Sequence, residues 1–237
     1  GGAPGTGGRI VKSRSVREEA VRLVLLLAGL CVAHLGVTLF LQTDLGSDPF
    51  NVFVQGLFRF LPWPGFMTHG RVHLLVSLVI MVVLLVVDRK FVRIGTVVCM
   101  ALGGPIIDVF TVLLAPLIHS ERPLPVRLAA LVLGCVILAF GMTIVICSEA
   151  GTGPNDLVGV VLSDKLGKPF GPVRVAVDLF FALSGFALGG VLGLGTVICA
   201  FVVGPAAQTF MPVSRRICDG CVHQFAGRDS LPRGDSV

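Results

Sequence analysis

Tyrosine is absent from this chain of 237 residues, tryptophan occurs once, and only 14% of the residues are charged. Soluble domains carry roughly a quarter charged residues, so an ordinary soluble fold is excluded. With so few Tyr and Trp, any interfacial aromatic belt falls to the 16 Phe. Long runs of one charge sign are also missing. The 19 Lys and Arg exceed the 14 Asp and Glu, but they sit between apolar blocks and form no continuous patch, which excludes nucleic acid as a partner. No nucleotide-binding loop, zinc-protease helix or serine-nucleophile elbow is present, so neither an enzyme nor a cofactor is expected. The seven cysteines make no disulfide framework. Cys31, Cys99, Cys135, Cys147 and Cys199 fall in apolar runs, where Cys acts as a small hydrophobe. Cys218 and Cys221, with His223, lack the second ligand pair a metal site needs, so no metal is expected.

Apolar residues and glycine are abundant. Apolar residues make up 54% of the chain, glycines number 30, and the mean hydropathy is +0.91. A soluble fold of this size cannot hide that much apolar surface, so the solvent is lipid. Glycine suits membrane helices because it lets backbones approach closely. Against the ~20 residues needed to cross a bilayer, the charge-poor runs are 23–43, 72–87, 94–118 (interrupted by Asp108) and 128–148. A fifth, 175–214, is long enough for two crossings. Gly189, Gly190, Gly193 and Gly195 mark a tight turn inside it, giving six crossings. The first run is too long for a signal-peptide core and lacks a small-residue cleavage site, so it reads as a retained helix.

With the N-terminus inside, fifteen of the 19 Lys and Arg fall on the cytoplasmic side, and Arg59, Arg71, Arg122 and Arg127 remain outside. That bias predicts cytoplasmic termini. Residues 1–17 are expected to be a disordered tail, and mobility is expected again after Met211, with a cytoplasmic tail over 214–237.

The chain also repeats itself. A shift of 105 aligns Arg22 with Arg127, Gly29 with Gly134, Gly36 with Gly141, Thr38 with Thr143, Gly46 with Gly151 and Pro49 with Pro154. A shift of 100 aligns Gly95-Thr96-Val97 with Gly195-Thr196-Val197, Cys99 with Cys199, and Gly104-Pro105 with Gly204-Pro205. The units are 18–120 and 121–213. Each holds three crossings, an odd number, so the second enters the membrane from the opposite side. The expected fold is therefore all-α, with six transmembrane helices in two inverted three-helix repeats. Secondary transporters and some channels are built this way, with the pathway between repeats.

In each unit the first crossing is followed by a turn and a proline-started helix: Gly46-Ser47-Asp48-Pro49-Phe50-Asn51 and Gly151-Thr152-Gly153-Pro154-Asn155-Asp156. These helices should end near Leu61 and Leu166. At roughly 18–20 Å they are too short to span. Each is either re-entrant or interfacial. A re-entrant helix would bring unpaired N–H groups and a positive dipole end to the midplane. Ser47, Asp48 and Asn51, with Thr152, Asn155 and Asp156, are then candidate solute-binding residues. The carboxylates of Asp48 and Asp156 disfavour simple anions, so a zwitterion or a cation fits better.

Two acids lie inside expected crossings, where charge is costly and function is the default assignment. Asp178 has Arg174 one helical turn earlier and is expected to pair with it. Asp108 has no such neighbour and aligns with Gln208, so a pore-facing role is expected for both. His34 and His73 are expected to hydrogen-bond between helices.

The Gly-Ser-Asp-Pro-Phe segment, its echo Gly-Thr-Gly-Pro-Asn-Asp, and the Gly-Thr…Gly-Pro closing each half resemble the bacterial YczE/YyaS/YitT membrane proteins over roughly residues 20–213. The resemblance implies a multi-pass protein of the bacterial inner membrane and names no substrate. Gly153 stands where the first copy has Asp48, so the two motifs need not be equivalent. The functional expectation is a transporter or channel for a small polar solute, with the bilayer as its other partner. Two alternatives remain open. One is a substrate-binding membrane subunit of a larger uptake complex, in which a separate ATPase supplies energy. The other is a non-transporting signalling or assembly protein. A homo-oligomer or a partner subunit is a further open expectation.

Overall fold

The computed structural model describes residues 15–168 and 170–226, and every regular element among them is helical. The first, α1 (Val16–Thr43), begins earlier than the apolar run that predicts it. Ser15 is its N-cap, with Oγ accepting from the Glu18 amide at 3.1 Å, and Glu18 and Glu19 complement the dipole in the first turn. Of the expected N-terminal tail, residues 1–14 lie outside the described residues, and 16 and 17 are helical.

After α1 come α2 (Pro49–Phe60), α3 (His69–Val87), a 3-10 turn (Arg89–Phe91) and α4 (Ile94–Leu114). Next are α5 (Leu124–Ser148), α6 (Pro154–Leu166), α7 (Phe170–Ala187) and α8 (Leu194–Ala226). The turns after α1 and α5 are built alike. Asp44 and Glu149 end the helices in the left-handed region, at φ 51° and 54°. Gly46 and Gly151 follow at φ +119° and +146°, and a proline then starts the next helix. Glycine is required at both turns for a second reason. A Cβ on Gly46 would lie 2.7 Å from Thr196 Oγ1, and one on Gly151 would lie 2.7 Å from the Thr96 amide nitrogen. Each turn thus presses on the start of the last helix of the other half. The Gly195 amide donates to Leu45 O at 2.7 Å, and the Gly95 amide donates to Ala150 O at 3.1 Å.

Helices α1 and α5 form the central pair and run antiparallel. Gly29 faces Gly141, and Gly36 faces Gly134, so closely that a Cβ on Gly36 would lie 2.5 Å from Gly134 O. Small residues on both helices permit this backbone contact. Helix α4 packs on α1 and α3, and α8 packs on α5 and α1. The short helices change partners: α2 rests mainly on α7, and α6 touches both α7 and α3. Phe50 and Val54 of α2 are buried between Val72 and Val76 of α3 and Val173, Val177 and Phe181 of α7.

Among the described residues, five helices (α1, α3, α4, α5 and α8) are long and apolar enough to cross a membrane. The remaining expected crossing corresponds to α7, which is not among those five. Outward-facing Val82 and Val86 on α3, Val112 on α4 and Phe201 on α8 are exposed, as suits contact with acyl chains. The glycine-rich turn falls between α7 and α8, with Gly189 at φ +91°. Beyond Met211, where a mobile tail is expected, the chain is helical as far as Ala226. Helix α8 continues through Pro212 to Ala226, because Ser214, Cys218 and Val222 bury one face of it. Residues 227–237 lie outside the described residues.

Candidate functional site

A cavity of about 930 Å³ lies among the helices, and the N-termini of both short helices line it. Asp48, Pro49, Phe50 and Asn51 come from α2, and Gly153, Pro154, Asn155 and Asp156 come from α6. The remaining polar wall is His34 from α1, His73 and Ser77 from α3, Arg174 and Asp178 from α7, and Thr196 from α8. Leu30, Val37, Phe50, Met142 and Val145 make much of the rest apolar.

The two helix starts differ. Asp48 is the N-cap of α2, and its Oδ1 accepts from the Asn51 amide at 3.2 Å. Its Oδ2 accepts from Asn51 Nδ2 at 2.7 Å and from Ser47 Oγ at 3.4 Å. The N-cap of α6 is Gly153, which offers no side chain to its amides. There the acid sits one turn in. Asp156 Oδ1 accepts from Arg174 Nη1 at 2.8 Å and from Asn155 Nδ2 at 3.3 Å. Arg174 Nε also reaches Asp178 Oδ2 at 3.0 Å, so one guanidinium is shared by two carboxylates.

Two histidines, His34 and His73, line the same cavity. His34 Nδ1 donates to Leu30 O at 2.9 Å, which leaves Nε2 as the acceptor in the neutral ring. Its ring is edge-on to His73 at 5.9 Å, and His73 is edge-on to Phe50 at 5.2 Å. Among the described residues, His73 Nδ1 and Ser77 Oγ are buried without a hydrogen-bond partner. Such an atom costs on the order of 1–3 kcal/mol if it stays unsatisfied. Among the described residues, no group of three His, Cys, Asp or Glu could hold a metal ion.

Of the residues picked out by sequence, Asp48, Asn51, Asn155 and Asp156 line the cavity together. Ser47 lies just behind it, with its amide donating to Thr196 Oγ1 at 3.3 Å, and Thr152 is half-buried beside the α6 start. Asp108 and Gln208, expected to face a pore, do not line this cavity. Asp108 caps α3 across the helix crossing: Oδ2 accepts from Thr68 Oγ1 at 2.5 Å, and Oδ1 accepts from the Gly70 amide at 3.0 Å. Both oxygens serve that helix end, and Asp108 is not among the residues that line the cavity. Gln208 is exposed on α8 and is not part of the cavity wall. Asp178 pairs with Arg174, as expected.

Sequence reasoning missed Ser77, and it did not place His73 and Arg174 at one site. A shift of 101 supplies the signal. It aligns Val72 with Val173, His73 with Arg174, Val76 with Val177 and Ser77 with Asp178, all of them facing the cavity or the core beside it.

A family model described as a family of unknown function (DUF6198) matches residues 20–212. The uncharacterized membrane protein YczE of Bacillus subtilis (strain 168) is 25% identical over 207 residues, covering 87% of this chain and 93% of that protein. An uncharacterized protein of Haemophilus influenzae is 27% identical over 197 residues, covering 81% and 84%. The uncharacterized protein YyaS of B. subtilis is 22% identical over 188 residues, covering 79% and 91%. No solved structure matches. These relatives bear out the resemblance to YczE and YyaS, and together with the apolar helices they make the chain a membrane protein.

Proposed function

We propose, from the premise that the chain belongs to the DUF6198 family, that it is a transporter or channel moving a small polar solute across the bacterial inner membrane. In this reading α1–α4 and α5–α8 are inverted repeats, each with three crossings and one re-entrant half-helix, and both termini are cytoplasmic. The antiparallel α1–α5 pair and the reciprocal bonds between each turn and the opposite half support the inversion. One observation carries the functional reading: the N-termini of α2 and α6, which follow equivalent helices, line a single cavity. Irregular backbone at membrane depth is tolerated where it lines such a cavity, and half-helix ends there bind solutes in transporters of inverted design. Asp48, Asn51, Asn155 and Asp156 would hold the solute. Rocking of one repeat against the other about the α1–α5 pair would expose the site to each side in turn.

Water access tests this. In a background without the seven native cysteines, Asn155→Cys and Met142→Cys should react with a small charged thiol reagent added in water. His119→Cys, in the connection between α4 and α5, serves as the control. If the control reacts and neither cavity position does, the transport reading fails.

A further inference from the structure

Three carboxylates face the cavity (Asp48, Asp156 and Asp178), against one guanidinium, Arg174. Each half-helix start adds roughly half a positive charge. The sum leaves about one negative charge without a counterpart. By that count half of it falls at Asp48 beside the α2 start and half in the Asp156–Arg174–Asp178 group beside the α6 start. Of the two, only Asp48 has no cationic side chain against it among the described residues. Arg174 is held by Asp156 at 2.8 Å and Asp178 at 3.0 Å, whereas Asp48 receives only neutral donors: the Asn51 amide, Asn51 Nδ2 and Ser47 Oγ. Among the described residues Asp48 makes no ion pair. A carboxylate offers about four acceptor sites, so three bonds leave one open.

A second observation points to a ligand independently of the helix ends. His73 and Ser77 are 7% and 1% exposed, both line the cavity, and among the described residues His73 Nδ1 and Ser77 Oγ have no partner. The volume of about 930 Å³ is at the upper end of the ~300–1,000 Å³ typical of small-molecule sites, far more than a bare ion needs. Its walls of Leu30, Val37, Phe50 and Met142 call for an apolar body.

We propose that the solute is an amphiphilic organic monocation, a protonated amine with an apolar body, whose ammonium binds Asp48 and whose body fills the space between the half-helices. This rests on the cavity being the solute site. An anion would find the one guanidinium already occupied, and a zwitterion would bring a carboxylate with the same difficulty.

Four probes with one common ring isolate the charge: 2-phenylethylamine, phenylalanine, 3-phenylpropionate and 2-phenylethanol. Each is titrated by calorimetry into the full chain in lipid nanodiscs. The amine should bind at least tenfold more tightly than the alcohol, and the propionate most weakly. Asp48→Asn keeps an equally good N-cap, so the fold should persist, as its thermal unfolding will show. It should weaken the amine at least tenfold and leave the alcohol unchanged. Equal or tighter binding of phenylalanine or the propionate, an unchanged amine affinity in Asp48→Asn, or no binding of any probe would each overturn the proposal. Whether the transport reading falls with it is decided separately, by thiol labelling of the cavity.

Discussion

The guanidinium of Arg127 donates twice to Thr43 O, from Nε at 2.8 Å and from Nη2 at 2.6 Å. Arg127 lies near the start of α5, and Thr43 is the last residue of α1. At the other end Arg22 of α1 donates to Ser148 O, the last residue of α5, at 3.1 Å. Each helix of the central pair therefore has its terminal carbonyl satisfied by an arginine from its partner. A helix end has four carbonyls without intrahelical donors, and cations there also complement the dipole. The pair is pinned at both ends, and its glycine contacts fill the length between.

The glycine contact makes a sharp comparison possible. Gly36→Ala puts a Cβ 2.5 Å from both Gly134 O and the Leu138 nitrogen, which are backbone atoms that cannot swing away. Overpacking of this kind costs on the order of 1–3 kcal/mol. Gly220→Ala, in α8, meets nothing within 4 Å and should stabilise by ~0.5–1 kcal/mol through helix propensity. Thermal unfolding in one detergent should move in opposite directions for the two variants. A neutral Gly36→Ala would mean that the α1–α5 backbones do not approach this closely.

Asp108 predicts a loss of stability without a loss of binding. Replacing it with Ala leaves the Gly70 amide and Thr68 Oγ1 without their acceptor, at a cost of about 1–3 kcal/mol. Because Asp108 does not line the cavity, probe affinity should stay within about twofold. A tenfold loss of affinity with unchanged unfolding would return Asp108 to the pathway.

Asp108 also shows where the sequence stops being informative. An acid amid apolar residues signals a polar need at that depth but not which group supplies it. The answer depends on α3 crossing α4 at Gly70 and Gly104, a contact distant in sequence. The short helices were legible to within a residue at both ends, because proline, the preceding cap and the length all act locally. The Arg174–Asp178 pair was legible for the same reason. His73 and Ser77 were not: His73 meets His34 of α1, Phe50 of α2 and Gly103 of α4, all distant in sequence. The extension of α8 past Pro212 was hidden because polar residues there suggest solvent, while Ser214 is buried and shares a 2.7 Å hydrogen bond with Thr143 Oγ1.

The connection after α3 carries an ion-pair cluster with a pH signature. Lys165 Nζ lies 3.1 Å from Asp88 Oδ2, and Lys90 Nζ lies 3.0 Å from Asp164 Oδ2. The hydrogen bond from Lys165 holds the Asp88 carboxyl below its usual range, and the bond to Asp164 raises Lys90 above its own. A depressed acid stabilises the fold above its unfolded value of about 3.9 and loses that contribution as pH falls through the lower folded value. The raised lysine contributes below about 10.4 and is lost as pH rises through its folded value. These groups are solvent-screened, so the effect should be small and shrink with salt. Melting curves from pH 6 to 3 should fall more steeply for the native chain than for Asp88→Asn at low salt, and converge at 1 M salt. Parallel curves at low salt would remove Asp88 from the acid response.

The same cluster predicts topology. Lys90 follows α3, and Asp164 and Lys165 end α6, so their pairing puts both segments at one level of the molecule. At another level Arg59, near the end of α2, donates to Asp44 Oδ1 at 2.9 Å and to Gly189 O at 3.3 Å, tying the turn after α1 to the turn after α7. The lysine-rich level should be cytoplasmic by the positive-inside rule, and the Arg59 level external. With the native cysteines replaced, an impermeant maleimide should label His119→Cys in intact cells. It should label Arg89→Cys and Lys168→Cys only after permeabilisation. Labelling of Arg89→Cys in intact cells would reverse the orientation. Labelling of Lys168→Cys alongside His119→Cys would mean that α5 does not cross between them, and the inverted arrangement would fall with it.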